Sequence, residues 1–109
     1  MNNIERGALR HRMILETPQD NTDDIGAVIR TYTALTSVWA AIKPLSASRL
    51  WQSQQVQQQV SHRITIGYRP DVTGDMRLRL DARIFQIKAS YDAEERGRFL
   101  TLECLEIKP

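Results

Sequence analysis

A chain of 109 residues with a formal charge of +2 has room for one domain and one modest core. It holds no run of about 18 apolar residues, which excludes a membrane-spanning helix. Its single cysteine, Cys104, excludes a disulfide scaffold and a cysteine-based zinc site. The start, Met1-Asn-Asn-Ile-Glu-Arg-Gly7, lacks the apolar region of a signal peptide, so synthesis in a cytoplasm is expected. Residues 1–7 read as a flexible arm ahead of a single domain spanning 1–109.

In chain order, Ala8–Glu16 alternates as a first strand, with Leu9, His11, Met13 and Leu15 on one face. Thr17–Gly26 is rich in turn formers and acids and reads as a polar loop. Val28–Thr36 forms a second strand rich in β-branched residues, and Val38–Pro44 a third, with Val38, Ala40 and Ile42 aligned. Ser46 to about Gln57 is the one helix the pattern predicts, since Ser46 or Ser48 can cap it and Ala47, Arg49, Leu50 and the glutamines favour it. Its apolar stripe is thin.

From Val60 the chain becomes a run of closely spaced strands. Val60, His62, Ile64, Ile66 and Tyr68 alternate with Ser61, Arg63, Thr65 and Gly67. A loop from Pro70 closes at Gly74-Asp75. Met76, Leu78 and Leu80 alternate with Arg77 and Arg79, Asp81-Ala82 turns the chain, and Phe85, Ile87 and Ala89 alternate with Gln86 and Lys88, which makes a tight hairpin. Asp92–Arg98 is a charged connection and Phe99–Ile107 the last strand. Strands this close leave no room for crossover helices. The fold class is mainly β: a small antiparallel β-barrel or sandwich with one short α-helix and a long loop.

The charge is unevenly distributed. Ile25–Pro70 carries Arg30, Lys43, Arg49, Arg63 and Arg69 and no acid, which gives +5, while the remaining ten bases and thirteen acids give −3. Twelve of the fifteen bases are arginine, a side chain suited to multidentate contacts with carboxylates and phosphates, so protein and nucleic-acid partners both stay open. Chemistry is harder to find. His11 and His62 lie in predicted strands with no cysteine or carboxylate at ligand spacing, nothing marks a nucleophilic triad, and the five glycines are scattered singly. No catalytic residue, metal site or cofactor is expected, and Cys104 reads as a small buried hydrophobe. Tyr68, Phe85, Trp39 and Trp51 offer stacking surfaces for a nucleic-acid-binding barrel, but the core is the more natural use for most of them.

The order of segments resembles the head–tail joining proteins of long-tailed bacteriophages, also called head-completion or stopper proteins. The resemblance runs from Gly7 to about Glu106. It rests on Gly7-Ala-Leu-Arg-His-Arg-Met13, the acidic loop closing at Asp24-Ile-Gly26, and Val38-Trp-Ala-Ala-Ile-Lys-Pro44. It continues through Val60-Ser-His-Arg-Ile64, Tyr68-Arg-Pro-Asp71, Asp81-Ala-Arg-Ile-Phe-Gln-Ile87 and Arg96-Gly-Arg-Phe-Leu-Thr-Leu-Glu-Cys104. One departure is Ala82, where glycine is expected in an Asp-Gly-Arg turn; another is Gly67-Tyr68, where Arg-Tyr is common.

The resemblance implies a non-enzymatic connector of the virion, made in the bacterial host cytoplasm. Copies form a homo-oligomeric ring between the portal–adaptor complex on the head and the tail terminator or tail tube. That ring helps to retain packaged DNA and later passes it on. A channel lining should avoid acids, which repel DNA. The acid-free stretch therefore suggests channel-facing residues Arg49, Gln52, Gln55, Gln58 and Arg63. Arg77, Arg79 and Arg83 in the hairpin could pair with Glu94 and Glu95 of a neighbouring subunit. The alternatives are another neck or tail-terminus component of a phage, prophage or gene transfer agent, and a small nucleic-acid-binding barrel.

Overall fold

The computed structural model describes residues 8–45 and 60–107. Six strands occupy them: β1 (His11–Thr22), β2 (Val28–Pro44), β3 (His62–Gly67), β4 (Arg77–Leu80), β5 (Arg83–Tyr91) and β6 (Phe99–Ile107). All pair antiparallel and close into a barrel in the order β1-β2-β3-β6-β5-β4. The mainly β barrel expected from strand spacing is therefore the fold. Closure depends on the short seam of β1 with β4, where Ile14, Leu15 and Glu16 face Arg79, Leu78 and Arg77.

Strand alternation decides what lies inside. Met13 and Leu15 of β1, Ala40 of β2, Ile64 and Ile66 of β3, Leu78 of β4, Phe85 and Ile87 of β5, and Leu102 and Cys104 of β6 are fully buried in one cluster. Val38, Ile42 and Leu80 pack against its margin. Each large apolar side chain removed from water contributes about 1.5–3 kcal/mol. His11, expected on the same face as Met13, is instead exposed where β1 enters the barrel. Ala89 leaves the core face because a register shift between Ile87 and Ala89 turns the strand over at Lys88.

Two expectations about the first half of the chain are corrected. Thr17–Thr22 is not loop but the continuation of β1, paired residue by residue from Thr17 opposite Thr33 to Thr22 opposite Val28. The connection shrinks to the residues between Thr22 and Val28, where the Asp23 carboxylate accepts the amides of Ile25 (3.0 Å) and Ala27 (2.8 Å) and Gly26 takes a φ of 88°. Likewise, the second and third expected strands are one strand, β2. No glycine or proline interrupts Thr36-Ser37, and the irregularity is a bulge: Leu15 faces Thr36 while Glu16 faces Ala34, leaving Leu35 as the extra residue.

Beyond Glu16, β1 pairs with β2 alone, so the two strands leave the barrel as a two-stranded arm. Pro18 is accommodated there because β1 has become an edge strand. The arm draws the molecule out to 52 × 32 × 26 Å. The helix expected over Ser46–Gln57 lies outside the described residues.

The β4–β5 hairpin resolves the question raised by Ala82. Leu80 pairs with Arg83 across a two-residue turn, and the positive φ (55°) belongs to Asp81, not to Ala82. Aspartate tolerates this region better than most side chains. Asp81→Ala is expected to destabilise the protein by about 1 kcal/mol, while Asp81→Gly leaves it nearly unchanged; urea unfolding of the two variants checks this.

Candidate interaction surface

The arm leaves the barrel at a buried carboxylate. Glu16, only 5% exposed, points to the outer face of β1, opposite the Leu15 side that fills the core. Arg77, its cross-strand partner on β4, donates through Nε to Oε1 at 2.6 Å, and Arg79, two residues on, donates through Nε to Oε2 at 3.1 Å. The Arg77 guanidinium also lies 3.9 Å over the ring of Tyr32 on β2. One acid thus ties β1 to β4, and one arginine ties β4 to the base of the arm. These contacts sit beside the Leu35 bulge, where the register of the two strands shifts.

Other cations are also committed within the chain. On the arm, Arg30 pairs with Asp20 directly opposite it (2.7 Å). On the barrel wall, Arg63 donates to Glu103 of β6 (2.7 Å), and the Tyr91 hydroxyl donates to the same carboxylate oxygen (2.8 Å). Arg69 pairs with Asp71 at 2.8 Å. The stretch Ile25–Pro70 is acid-free in sequence but not in space, since Arg30, Arg63 and Arg69 are matched by Asp20, Glu103 and Asp71. Lys43 is exposed and makes no ion pair among the described residues.

The residues singled out from sequence are distributed as follows. Arg49, Gln52, Gln55 and Gln58 lie outside the described residues. Arg63 is on β3 and bonded to Glu103. Arg77 and Arg79 converge on Glu16, and Arg83 grips Glu106 with Nε (2.8 Å) and Nη2 (3.1 Å). Glu94 and Glu95 sit in the turn before β6, where Asp92 accepts the amides of Glu95 (2.9 Å) and Gly97 (2.6 Å). Within the chain, no ion pair among the described residues joins these two acids to the hairpin arginines.

Sequence reasoning missed two apolar surfaces. At the arm tip, Ile25 is 89%, Val28 71% and Ile29 47% exposed. On the outer face of β2, Trp39 is 52% exposed; Arg12 faces it across the β1–β2 ladder, stacks at 5.6 Å from the ring centroid and bonds to Ser37 Oγ at 3.0 Å. The signal for the second was present: Trp39 falls out of phase with Val38, Ala40 and Ile42.

Among the described residues, no cluster of three or more His, Cys, Asp or Glu could hold a metal ion. Burial pushes the Cys104 thiol up to about 12, which keeps it protonated. His62 packs edge-on against Phe85 (5.2 Å between centroids) and takes a hydrogen bond contact with Ser61 Oγ at 2.8 Å. Burial holds it below the ordinary histidine value; Glu106 pulls it back up and Arg83 pushes it down.

Two predictions follow from these contacts. Glu16→Gln removes the charge between Arg77 and Arg79; because both arginines keep some solvent, the cost is about 2 kcal/mol rather than the larger penalty of a fully buried pair, measurable by urea unfolding. For His62, the folded state binds fewer protons than the unfolded state, so stability falls as pH drops through the unfolded value of about 6.5. The thermal midpoint should decline between about pH 7.5 and pH 5.5, and decline less in His62→Gln.

With this geometry in hand, the chain can be set beside known proteins. A family model described as "Phage head completion protein" matches residues 4–107. No curated protein matches. Among solved structures, protein SF1141 from Shigella flexneri 2a is similar over 94% of this chain and 96% of its own, with 24% identity and a TM-score of 0.72. A chain from the virion of a native gene transfer agent particle is similar over 91% of this chain and 96% of its own, with 19% identity and a TM-score of 0.63. Those two likenesses establish the same fold. The match across nearly the whole sequence establishes more: this arm-bearing barrel belongs to the phage head completion protein family and is a structural component of the virion.

Proposed function

We propose that copies of this protein form a ring between the portal–adaptor complex and the tail, where the ring helps to retain packaged DNA and then passes it on. The observation that carries this reading is the division of the chain into a closed barrel and an arm rooted at the Glu16 ion pairs. A closed barrel has no free edge in its wall to invite uncontrolled strand addition. The arm, rooted at Glu16, presents apolar side chains far from the body. Such a shape suits a subunit that must reach a neighbour.

Channel contact is assigned to the segment holding Arg49, Gln52, Gln55 and Gln58, which has no acid to repel DNA. Arg63, also assigned to the channel from sequence, is the weaker member because its charge is matched by Glu103. For the subunit contact, Arg79 and Arg83 keep roughly half-exposed side chains beside their intrachain partners, so they remain available to Glu94 and Glu95 of another copy. Likeness to a gene transfer agent virion chain favours a second setting for the same role, a phage-like particle that carries other DNA.

Electron microscopy of the protein mixed with portal–adaptor complexes should show an added ring. A salt-sensitive shift of free DNA with no added ring overturns this reading in favour of a stand-alone nucleic-acid-binding barrel. In assembled particles, Arg49→Glu is expected to increase DNA loss while the ring remains visible.

A further inference from the structure

The two exposed apolar surfaces are opposite in charge. At the arm tip, Ile25 and Val28 are flanked by Asp23 and Asp24, and Arg30 is already matched by Asp20. The tip is preorganised, because the Asp23 carboxylate holds the amides of Ile25 and Ala27. On the barrel, the outer face that holds Trp39 carries two cations: Arg12 stacks on the ring, and Lys43 lies farther along the same face of β2. Glu16, on the same outer face of β1 as Arg12, is buried under two arginines, and neither Arg12 nor Lys43 makes an ion pair among the described residues.

Beside Trp39 the surface steps down. Ala41 follows on the same strand face and pairs with Thr65 of β3; the same register carries Gly67 alongside Trp39, and space is open above Gly67. The exposed indole of Trp39, half-buried Ala41 beside it and the open space over Gly67 therefore form a shallow apolar shelf; Thr65, on the same face, is buried and adds no surface to it.

A molecule cannot fill its own shelf. Val28 and Trp39 lie on one continuous strand, eleven steps of about 3.3 Å or at most roughly 36 Å apart, and its pairing with β1 keeps the tip from folding back onto the shelf. The occupant of the shelf is another molecule, and the opposite charges of tip and shelf select a second copy of this chain. Tip and shelf are different patches, so their contact is heterologous, and a heterologous contact that closes generates a ring.

We propose that the β1–β2 arm of each copy seats Ile25 and Val28 on the Trp39 shelf of the next, with Asp24 against Arg12 and Lys43. This inference rests on the ring reading above and specifies the contact that builds it. The arm contributes apolar area and the aspartate fixes orientation, since charge complementarity at a rim governs register and encounter more than affinity.

The test uses the full chain assembled on portal–adaptor complexes. A variant carrying Ile25→Cys and Ala41→Cys should give a ladder of covalent oligomers on mild oxidation, while either substitution alone gives none beyond a dimer. Cys104 is fully buried and does not compete. Asp24→Arg should weaken ring formation roughly tenfold or more, and adding Arg12→Asp should restore it. Rings of normal appearance that yield no cross-link at this pair overturn the arm contact and leave the ring reading standing. Cross-linking of Ile25→Cys to a portal or adaptor chain overturns it in favour of a different partner. Absence of rings from the unmodified protein overturns both.

Discussion

One carboxylate governs how this molecule is put together. Glu16 sits where β1 stops being part of a barrel and becomes part of an arm, and it is held there by Arg77 and Arg79 of β4. Burying a charge is costly unless it is paired and hydrogen-bonded. That cost makes the arrangement specific: β1 and β4 must meet in this register, because a slip of one residue would turn Glu16 inward and leave both arginines unmatched. The stacking of Arg77 on Tyr32 extends the same constraint to the arm.

From that junction the two parts of the chain diverge in purpose. The barrel packs most of its large apolar residues inside and pairs many of its charges on its wall. Glu103 receives Arg63 and Tyr91, while Glu106 receives Arg83 and lies near His62. No buried side-chain nitrogen or oxygen among the described residues lacks a partner. The arm does the reverse and carries Ile25 and Val28 into solvent on a turn braced by Asp23. The structure thus separates a closed wall from a limb that presents apolar surface.

Charge shows how linear and spatial readings differ. The acid-free stretch Ile25–Pro70 looks basic along the chain, yet its arginines on the arm, on β3 and after β3 meet acids from outside the stretch. Cross-strand pairing brings together residues far apart in sequence, so a linear count of charge is not a map of potential. The cations left without an ion pair on the Trp39 face, Arg12 of β1 and Lys43 of β2, could not be grouped before the register was known.

Much of the barrel was legible from alternation alone. Whether Ile64, Ile66, Leu78, Phe85, Ile87 and Leu102 face inward is a local property of a strand with period two, and each is buried. The β class, the hairpin at Asp81-Ala82 and the absence of a recognisable catalytic motif followed from the same local evidence. The arm was not legible, because Thr17–Thr22 is polar and rich in turn formers, and only pairing with the residues from Val28 makes it a strand. Nor were the Leu35 bulge and the Glu16 clasp, whose partners lie 61 and 63 residues away. The sequence by itself determined the inward face of the regular middle of each barrel strand, since that follows from neighbours along the chain. It did not determine the strand ends and bulges, where His11, Tyr68 and Ala89 leave that face. Only the tertiary structure decided which acids meet which arginines and where apolar surface is left for another molecule, since both depend on how distant strands come into register.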